Sequence, residues 1–424
     1  MLKIIFSRTS TISLLCLAII IPLAAFSYFV LIKDKSAPLS NAAIIFPDQT
    51  DRADPGLGPN LISSSSPVLK PIPGKASSSI PSVASTSAVG LNQKPAIIPK
   101  DSNPVADSPA PALMGKTEVM AWIYPGAPTC NAKREYADGR KIDILKPEYF
   151  MVDETGELIL LTEKERGCNG YSAANVADIK KYSKEQYVTV SSSYAVSMGL
   201  FLTKTLDDAT AVETLASFVV DNNLTGIEID FEDFGGWDAS MYEGYKQFVT
   251  ALGDSLHKNS KKLMIDGPAT TDATEEAWYV WRYADFNSLP LDRLVVMTYD
   301  YQFDQGVGQA VSPISWIQST IKWTLSKFPD KKKISFGVPS YGYKGLAGTQ
   351  KFSLLTYEQI KKEPGFETAL RDPASFEMTW RNGENVYFYQ DGESLSRKAE
   401  TIQSSGINSI SVWHLGSNLW FTNQ

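Results

Sequence analysis

Histidine and cysteine are scarce in this sequence, which has two histidines and three cysteines among its 424 residues. Zinc sites in proteins are built mainly from these two side chains, so this inventory nearly excludes a zinc site. A Ser-His-Asp centre would have to recruit His257 or His414. We therefore expect a protein without a metal or other cofactor, whose chemistry depends on other side chains.

Positive charge is also limited. Lys and Arg number 40 against 47 Asp and Glu, which gives a formal net charge of −7, and no long basic run occurs. Proteins that bind nucleic acid draw affinity from basic surfaces, so nucleic acid is not an expected partner. Apolar residues are plentiful by contrast: 43% of the chain is hydrophobic, which is enough to bury a sizeable core.

The first 35 residues predict a membrane segment. Residues 11–32 form a run of 22 residues without a charge, and at about 1.5 Å per residue a helix of that length spans the hydrocarbon core. The run is longer than the core of a typical signal peptide, which favours an uncleaved anchor with the rest of the chain on the extracytoplasmic side. The alternative is a signal cleaved near Ala24-Ala25, which would release a secreted protein.

A change of composition follows at residues 36–115, where Ser, Pro and Ala dominate and charged and aromatic residues are few. Such a segment cannot bury enough apolar surface to fold, so we predict a disordered linker that tethers the next domain. Beyond it, Cys130 and Cys168 would lie on the exported side, where a disulfide is chemically allowed. A disulfide and two free thiols are both compatible with the sequence.

Residues 116–424 have the composition of a folded domain. Short apolar strands alternate there with helical patterns, and this alternation predicts an α/β protein with a (β/α)8 TIM barrel. A predicted hairpin, with Asn382-Gly383 at its turn, indicates a small α/β insertion between strands seven and eight. The predicted strands are 119–123, 142–145, 187–191, 226–231, 263–265, 293–297, 334–338 and 409–412; the helical patterns are 209–221, with Asp207 or Asp208 as N-cap, 241–258, 314–328 and 394–404.

The fourth predicted strand carries a row of acids. Apolar residues alternate with Glu228, Asp230 and Glu232, so the three carboxyls share one face at intervals of about 6–7 Å. If that face is buried, one of them must hold a proton or find a partner, because like charges raise each other's pKa. Such a row is typical of a catalytic acid. A solvated edge strand is less compatible with a closed barrel, and a straight strand spreads its carboxylates too far for a compact Ca²⁺ or Mg²⁺ shell.

Other polar and aromatic side chains follow the predicted strands, where a barrel would bring them to one mouth. Tyr299 and Asp300 follow strand six, Tyr341 follows strand seven, and Trp413 ends strand eight. Trp237 lies in the loop just after Glu232 and is a further candidate to line a sugar subsite, although core packing is the more common role of a tryptophan.

Four separated motifs stand at or near the ends of predicted strands: Thr225-Gly226-Ile227-Glu228-Ile229-Asp230-Phe231-Glu232, Met297-Thr298-Tyr299-Asp300, Gly337-Val338-Pro339-Ser340-Tyr341-Gly342 and Ser411-Val412-Trp413-His414-Leu415-Gly416. These motifs resemble those of glycoside hydrolase family 18, the chitinase-like barrels. Two positions depart from the family pattern, since Thr225 and Glu228 stand where the family has Asp. Residues 389–394 resemble a segment of the spore cortex and peptidoglycan-directed branch.

The resemblance implies retaining hydrolysis of β-linked N-acetylglucosaminyl bonds, with the substrate's own acetamide as nucleophile. It implies that Glu232 is the acid and base, that Asp230 holds the acetamide N–H, and that Tyr299 binds the acetamide oxygen. It further implies a subsite floor at Trp413, contacts from Asp300 and Tyr341 to sugar hydroxyls, and a proton network through Glu228. The expected partner is a polysaccharide that contains N-acetylglucosamine, and the expected state is a monomer. A non-catalytic, lectin-like module is the alternative, although lectin-like members commonly lose the acid that stands here as Glu232.

Overall fold

The computed structural model describes residues 117–123, 132–133 and 142–421. The predicted membrane segment, the predicted linker and Cys130 lie outside these residues. Over the part of the chain that is described, no helix has the length and apolar character needed to cross a membrane. Cys168 is disulfide-bonded.

Strands and helices alternate along most of the described chain. The strands are β1 Glu118–Ile123, β2 Ile142–Val152, β3 Leu158–Leu160, β4 Ser183–Ser192, β5 Gly226–Phe231, β6 Lys262–Pro268, β7 Arg293–Met297, β8 Ile334–Pro339, β9 Gly342–Leu346, β10 Phe352–Leu355, β11 Leu370–Arg371, β12 Met378–Asn382, β13 Asn385–Tyr389 and β14 Ser409–Leu415. The helices are α1 Ala173–Tyr182, α2 Ala195–Asp207, α3 Thr210–Asp221, α4 Ala239–Lys258, α5 Ala273–Trp278, α6 Tyr301–Gln305, α7 Ile314–Lys327, α8 Tyr357–Ile360 and α9 Gly392–Ser404.

Eight parallel strands close into a barrel in the order β1, β14, β8, β7, β6, β5, β4, β2, and β1 also pairs with β2. The short strand β3 adds to the end of β2 in an antiparallel direction. The (β/α)8 fold predicted from the sequence is confirmed, and all eight predicted strands fall on barrel strands. Several strands are longer than predicted. In particular, β14 continues to Leu415, so Trp413 lies within the strand rather than at its end.

The helices cover the outer face of the barrel with their apolar sides. Helix α4, for example, is capped by Asp238, whose carboxylate accepts a hydrogen bond from Met241 N at 2.8 Å. The helix buries residues such as Phe248 and Leu252 against the sheet. The predicted cap of the preceding helix is wrong. Residues 195–207 form a separate helix, α2, of which Asp207 is the last residue and Asp208 is the C-cap. The N-cap of α3 is therefore Ala209.

The insertion between β8 and β14 is a five-stranded sheet in the order β10, β9, β13, β12, β11, together with the short helix α8. It confirms the predicted insertion. The hairpin turn is shifted by one residue, because Asn382 pairs with Asn385 and leaves Gly383 and Glu384 as the two turn residues. Gly383 has φ of 59°, a left-handed conformation that glycine adopts without steric cost.

The main apolar core lies between the outer face of the barrel and the helices, where Ile227, Ile229 and Phe231 of β5 are buried. The inside of the barrel is more polar: it holds the fully buried side chains of Lys146, Glu228 and Asp266. Buried charges are costly unless they are paired or neutralised, so this interior constrains which groups carry protons.

Candidate active site

Strand β5 places its acids as its alternation predicts. Ile227, Ile229 and Phe231 point outward into the apolar core, and Glu228 and Asp230 therefore point into the barrel. Glu228 is fully buried, whereas Asp230, and Glu232 just beyond the strand, keep some solvent access through the mouth. The row thus runs from the closed interior of the barrel to its open end.

Glu228 is held by partners from two other strands. Lys146 of β2 forms a buried ion pair with its Oε1, and Thr189 of β4 donates a hydrogen bond to its Oε2 at 2.8 Å. The Lys146 ammonium also donates to Ser411 Oγ at 2.8 Å and lies 3.2 Å from the centroid of the Trp122 ring. Glu228 is therefore a structurally fixed member of the row, and its partner Lys146 was not foreseen from the sequence.

The two acids nearer the mouth have pKa values raised above those of ordinary carboxyls. Burial is the largest cause that raises the pKa of Asp230 well above its ordinary value, and the charges of Glu232 and Glu228 add to it. The pKa of Glu232 is raised to about 7, first by burial and to a smaller extent by the charges of Asp300 and Glu148. A carboxyl with a pKa near 7 can give up and regain a proton at neutral pH, which is what a general acid and base requires.

An aromatic corner lies beside the acids. The rings of Tyr299 and Trp413 are stacked with centroids 6.2 Å apart, and Tyr341 meets Trp413 edge to face at 4.8 Å. Burial is the largest cause that raises the pKa of the Tyr299 hydroxyl. The nearby carboxylates of Asp230, Asp266 and Glu232 raise it further. The predicted residues from strands six, seven and eight are therefore brought together with the acidic row.

Asp300 adopts a left-handed conformation with φ of 66°, directly after Tyr299. Its carboxylate accepts a hydrogen bond from the Tyr341 hydroxyl and another from Gln302 Nε2 at 3.1 Å. Burial raises the pKa of Asp300 to about 6, although both hydrogen bonds act in the opposite direction. The pair of Asp300 and Tyr341 links the ends of β7 and β8 at the mouth.

The insertion supports the loop that follows Tyr299. Glu377, which is fully buried, accepts hydrogen bonds from Val311 N at 2.8 Å and Ser312 N at 2.7 Å. Ser312 Oγ in turn donates to the carbonyl of Thr298 at 2.5 Å. A continuous set of hydrogen bonds therefore connects the insertion to the residue before Tyr299.

Trp237 and His414 have structural environments. Trp237 is only 5% exposed and packs against Phe234 and Trp281, while its Nε1 donates to the Glu232 carbonyl at 2.9 Å. It thus supports the backbone of Glu232 and presents no open ring face, unlike a subsite tryptophan. His414 is buried, with Nδ1 2.7 Å from the Leu415 carbonyl oxygen.

Two further acids adjoin the site and were missed from the sequence. Glu148 of β2 is ion-paired with Arg166 and accepts a hydrogen bond from Ser191 Oγ at 2.5 Å. Asp266 of β6 is fully buried next to Asp230 and Glu228, whose charges raise its pKa together with burial. Each of these acids is a charged residue within an apolar strand pattern, which could have marked it as a site residue. The residues that it contacts are distant in sequence, so its role could not be read from its neighbours.

Within the described ranges, no group of three or more His, Cys, Asp or Glu side chains is arranged to hold a metal ion. The site instead offers a carboxyl poised to transfer a proton, a second carboxyl beside it, a tyrosine hydroxyl and a tryptophan face. Such a set can bind a sugar ring and protonate a leaving oxygen. The barrel and this site together define a glycoside hydrolase.

The model of the family "Glycosyl hydrolases family 18" matches residues 174–418, so the chain belongs to that family. A "Cortical fragment-lytic enzyme" of Bacillus subtilis (strain 168) is 25% identical over 227 residues, which is 50% of this chain and 52% of that protein. A second B. subtilis protein, "Uncharacterized glycosylase YvbX", is 26% identical over 208 residues, which is 45% of this chain and 57% of that protein. The chain thus spans little more than half the length of these relatives.

Solved structures show the same fold. A chitinase from Chromobacterium violaceum ATCC 12472 superposes with a TM-score of 0.60 at 18% identity, over 71% of this chain and 95% of that one. The spore cortex-lytic enzyme SleL of Bacillus cereus superposes with a TM-score of 0.59 at 17% identity, over 72% of each chain. Both likenesses concern the fold.

Proposed function

We propose that the protein is a retaining glycosidase that hydrolyses β-linked glycans containing N-acetylglucosamine, with the substrate's acetamide as nucleophile. The observation that carries this proposal is the arrangement of Glu232 and Asp230 beside Tyr299 and Trp413 at the mouth of the barrel, where burial also raises the pKa of Glu232 to about 7. In a barrel enzyme, a titratable acid at the carboxyl end of a strand is well placed for catalysis.

In the first step, Glu232 protonates the glycosidic oxygen while the acetamide carbonyl oxygen attacks the anomeric carbon, and the bond to the leaving sugar breaks. The product is an oxazolinium ion, and Glu232 is left as a carboxylate. In the second step, Glu232 removes a proton from water, whose oxygen attacks the anomeric carbon and reopens the oxazolinium ring. Two inversions at one carbon retain the β configuration.

Asp230 and Tyr299 would control the acetamide. Asp230 Oδ1 is buried and receives no hydrogen bond from the described residues, so it is available to bind the acetamide N–H and to stabilise the developing positive charge. The Tyr299 hydroxyl would bind the acetamide oxygen and fix its line of attack. Trp413, half-buried and supported by Tyr299 and Tyr341, would form the floor under the sugar ring, while Asp300 and Tyr341 would contact its hydroxyls.

For substrate and location, we propose an envelope glycan of the chitin or peptidoglycan type, reached by a monomer on the extracytoplasmic side. The names of the relatives support this choice, since they include cortical fragment-lytic enzymes and a chitinase. The uncharged run at 11–32 supports a membrane anchor, and secretion after cleavage is the other route to the same compartment.

Assay of the full chain against chitin oligomers, peptidoglycan and N-glycans, with identification of the products by mass spectrometry, tests the proposal. We expect cleavage of at least one of these glycans between sugar units, with retention of the β anomer in the first product seen by NMR. Binding of a glycan without any cleavage would instead favour the lectin-like alternative. Inversion at the anomeric carbon would contradict the substrate-assisted mechanism.

The pH dependence of kcat/KM should show an alkaline limb near pH 7, because Glu232 must be protonated to act as the acid. The charge of Glu148 contributes to the raised pKa of Glu232. In Glu148→Gln that charge is lost and Arg166 is left unpaired, so the pKa of Glu232 should fall and the limb should move to lower pH, by about half a unit or more. The matched control is Glu154→Gln, at an exposed turn, which should leave the limb in place. A limb that moves to higher pH in Glu148→Gln would contradict this assignment.

A further inference from the structure

The inside of the barrel beneath Asp230 holds more carboxyls than cations. Among the described residues, Glu228 and Asp266 are fully buried there together with the ammonium group of Lys146. Water does not solvate these groups, so the protonation of each one depends on the charges of the other two. The titratable groups that face them come from β2, β5, α4 and the loop after β7: they are Glu148, Asp230, Glu232, Tyr245 and Tyr299.

Glu228 is bonded as a carboxylate. Lys146 pairs with one of its oxygens and Thr189 donates to the other at 2.8 Å. Lys146 is itself fixed by Ser411 Oγ at 2.8 Å and by the face of Trp122. An ammonium held in this way keeps the negative charge on Glu228 rather than on a neighbouring acid.

Asp266 has the opposite character. Neither of its oxygens receives a hydrogen bond from a donor in the described part of the chain, yet it lies within hydrogen-bonding reach of Glu228. Two buried carboxyls can form a hydrogen bond only if one of them holds a proton. Since Glu228 already accepts from Lys146 and Thr189, the proton belongs to Asp266, which then donates to Glu228. Burial and the charges of Glu228 and Asp230, which raise the pKa of Asp266, act in the same direction.

We propose that Lys146 and Asp266 are positioning residues for catalysis. Together with Thr189 they occupy three of the roughly four lone-pair positions of the Glu228 carboxylate. Glu228 therefore competes less for the proton of Asp230, which is turned toward Glu232. This proposal rests on the proposed roles of Asp230 and Glu232. It assigns a purpose to the longer side chain of Glu228, which reaches a cation and a protonated acid at once.

Thermal unfolding of the full chain between pH 4 and pH 8 tests where the proton lies. A carboxyl whose folded pKa is raised contributes stability that is lost as the pH rises from its unfolded value toward its folded value. Asp266→Asn is neutral at every pH, so its Tm relative to the wild type should rise from pH 4 to pH 8, by about 2 °C or more. A Tm difference that stays constant or falls over this range would show that Asp266 is not the protonated member.

Kinetics on an N-acetylglucosamine hexamer test the positioning role of Asp266. The amide of Asp266→Asn can still donate to Glu228, whereas Asp266→Leu has similar volume and no donor. We expect kcat of Asp266→Leu to fall about tenfold or more below that of Asp266→Asn, with a change in the shape of its pH profile. Equal losses in the two variants would overturn the donor role. If the wild type cleaves no glycan, the proposed function fails, while the unfolding experiment still decides the proton's position.

Lys146 needs a variant that separates folding from positioning. Lys146→Met leaves Glu228 as a buried charge without its counter-ion and should lower the Tm. Adding Glu228→Gln removes that charge, so the double variant should recover most of the Tm. Its kcat should stay about tenfold or more below wild type, because an amide at position 228 without the ammonium beside it no longer keeps the proton of Asp230 turned toward Glu232. Recovery of both Tm and kcat would show that Lys146 is only a structural partner.

Discussion

Replacing Glu232 by Gln should lower kcat on an N-acetylglucosamine oligomer by a factor of about 10²–10⁴, the usual contribution of a positioned general acid. The amide keeps the shape of the side chain but has no proton to give to the glycosidic oxygen and cannot later accept one from water. Binding of the oligomer should change little, because the residues proposed to contact the sugar, Asp230, Tyr299 and Trp413, remain. Initial rates and the affinity for the oligomer, measured on the same preparation, separate the loss of turnover from any change in binding.

The control for Glu232→Gln is again Glu154→Gln, an exposed glutamate for which wild-type rates are expected. The pH profile supplies a second check, since any residual activity of Glu232→Gln should lose the alkaline limb near pH 7. Retention of wild-type turnover by the variant would show that another group donates the proton, and Asp300, with a pKa of about 6, would become the next candidate.

The largest effect on stability is expected from Lys398→Met. Lys398 and Glu377 are fully buried, with Nζ and Oε1 3.3 Å apart, and Lys398 also donates to Gln390 Oε1 at 2.9 Å. Removing the ammonium leaves Glu377 charged in the interior, which should lower the free energy of unfolding by about 3–5 kcal/mol. Urea denaturation followed by tryptophan fluorescence measures this change.

Lys361→Met is the matched surface control. Its partner Glu358 lies 2.6 Å away, but both side chains are partly exposed, so the loss should be less than about 1 kcal/mol. The double variant Lys398→Met/Glu377→Gln should be more stable than Lys398→Met alone, because it removes the orphaned charge. Equal unfolding midpoints for Lys398→Met and the wild type would mean that the buried pair contributes nothing to stability.

The sequence was most informative where local pattern decides the outcome. Alternation in 226–231 predicted both the strand β5 and the shared face of Glu228 and Asp230. Residues at the carboxyl ends of barrel strands meet at one face of the barrel, and this placed Tyr299, Tyr341 and Trp413 at one mouth without any knowledge of their distances. These predictions depend on the period of a strand and on the position of a residue at its end, and both can be read from neighbouring residues.

Features that depend on distant contacts were not accessible in this way. Lys146 and Glu228 are 82 positions apart, and nothing near Lys146 indicates an acid across the barrel. Asp266 stands in Asp266-Gly267-Pro268, which looks like a turn when read alone. Trp237 illustrates the same limit: its loop position can be read from the sequence, but the packing of Phe234 and Trp281 around it cannot.

The hydrogen bonds from Glu377 through Ser312 to the carbonyl of Thr298 limit how this protein can be re-engineered. The insertion looks like an exchangeable module, since it forms a separate sheet between the barrel strands β8 and β14. Replacing it with the corresponding wall of another barrel would, however, remove the carboxylate that fastens the backbone next to Tyr299. A chimera designed to change glycan preference should therefore carry over Glu377 and Lys398 as a unit. Otherwise it would shift Tyr299, whose proposed role is to align the acetamide, along with the shape of the cleft.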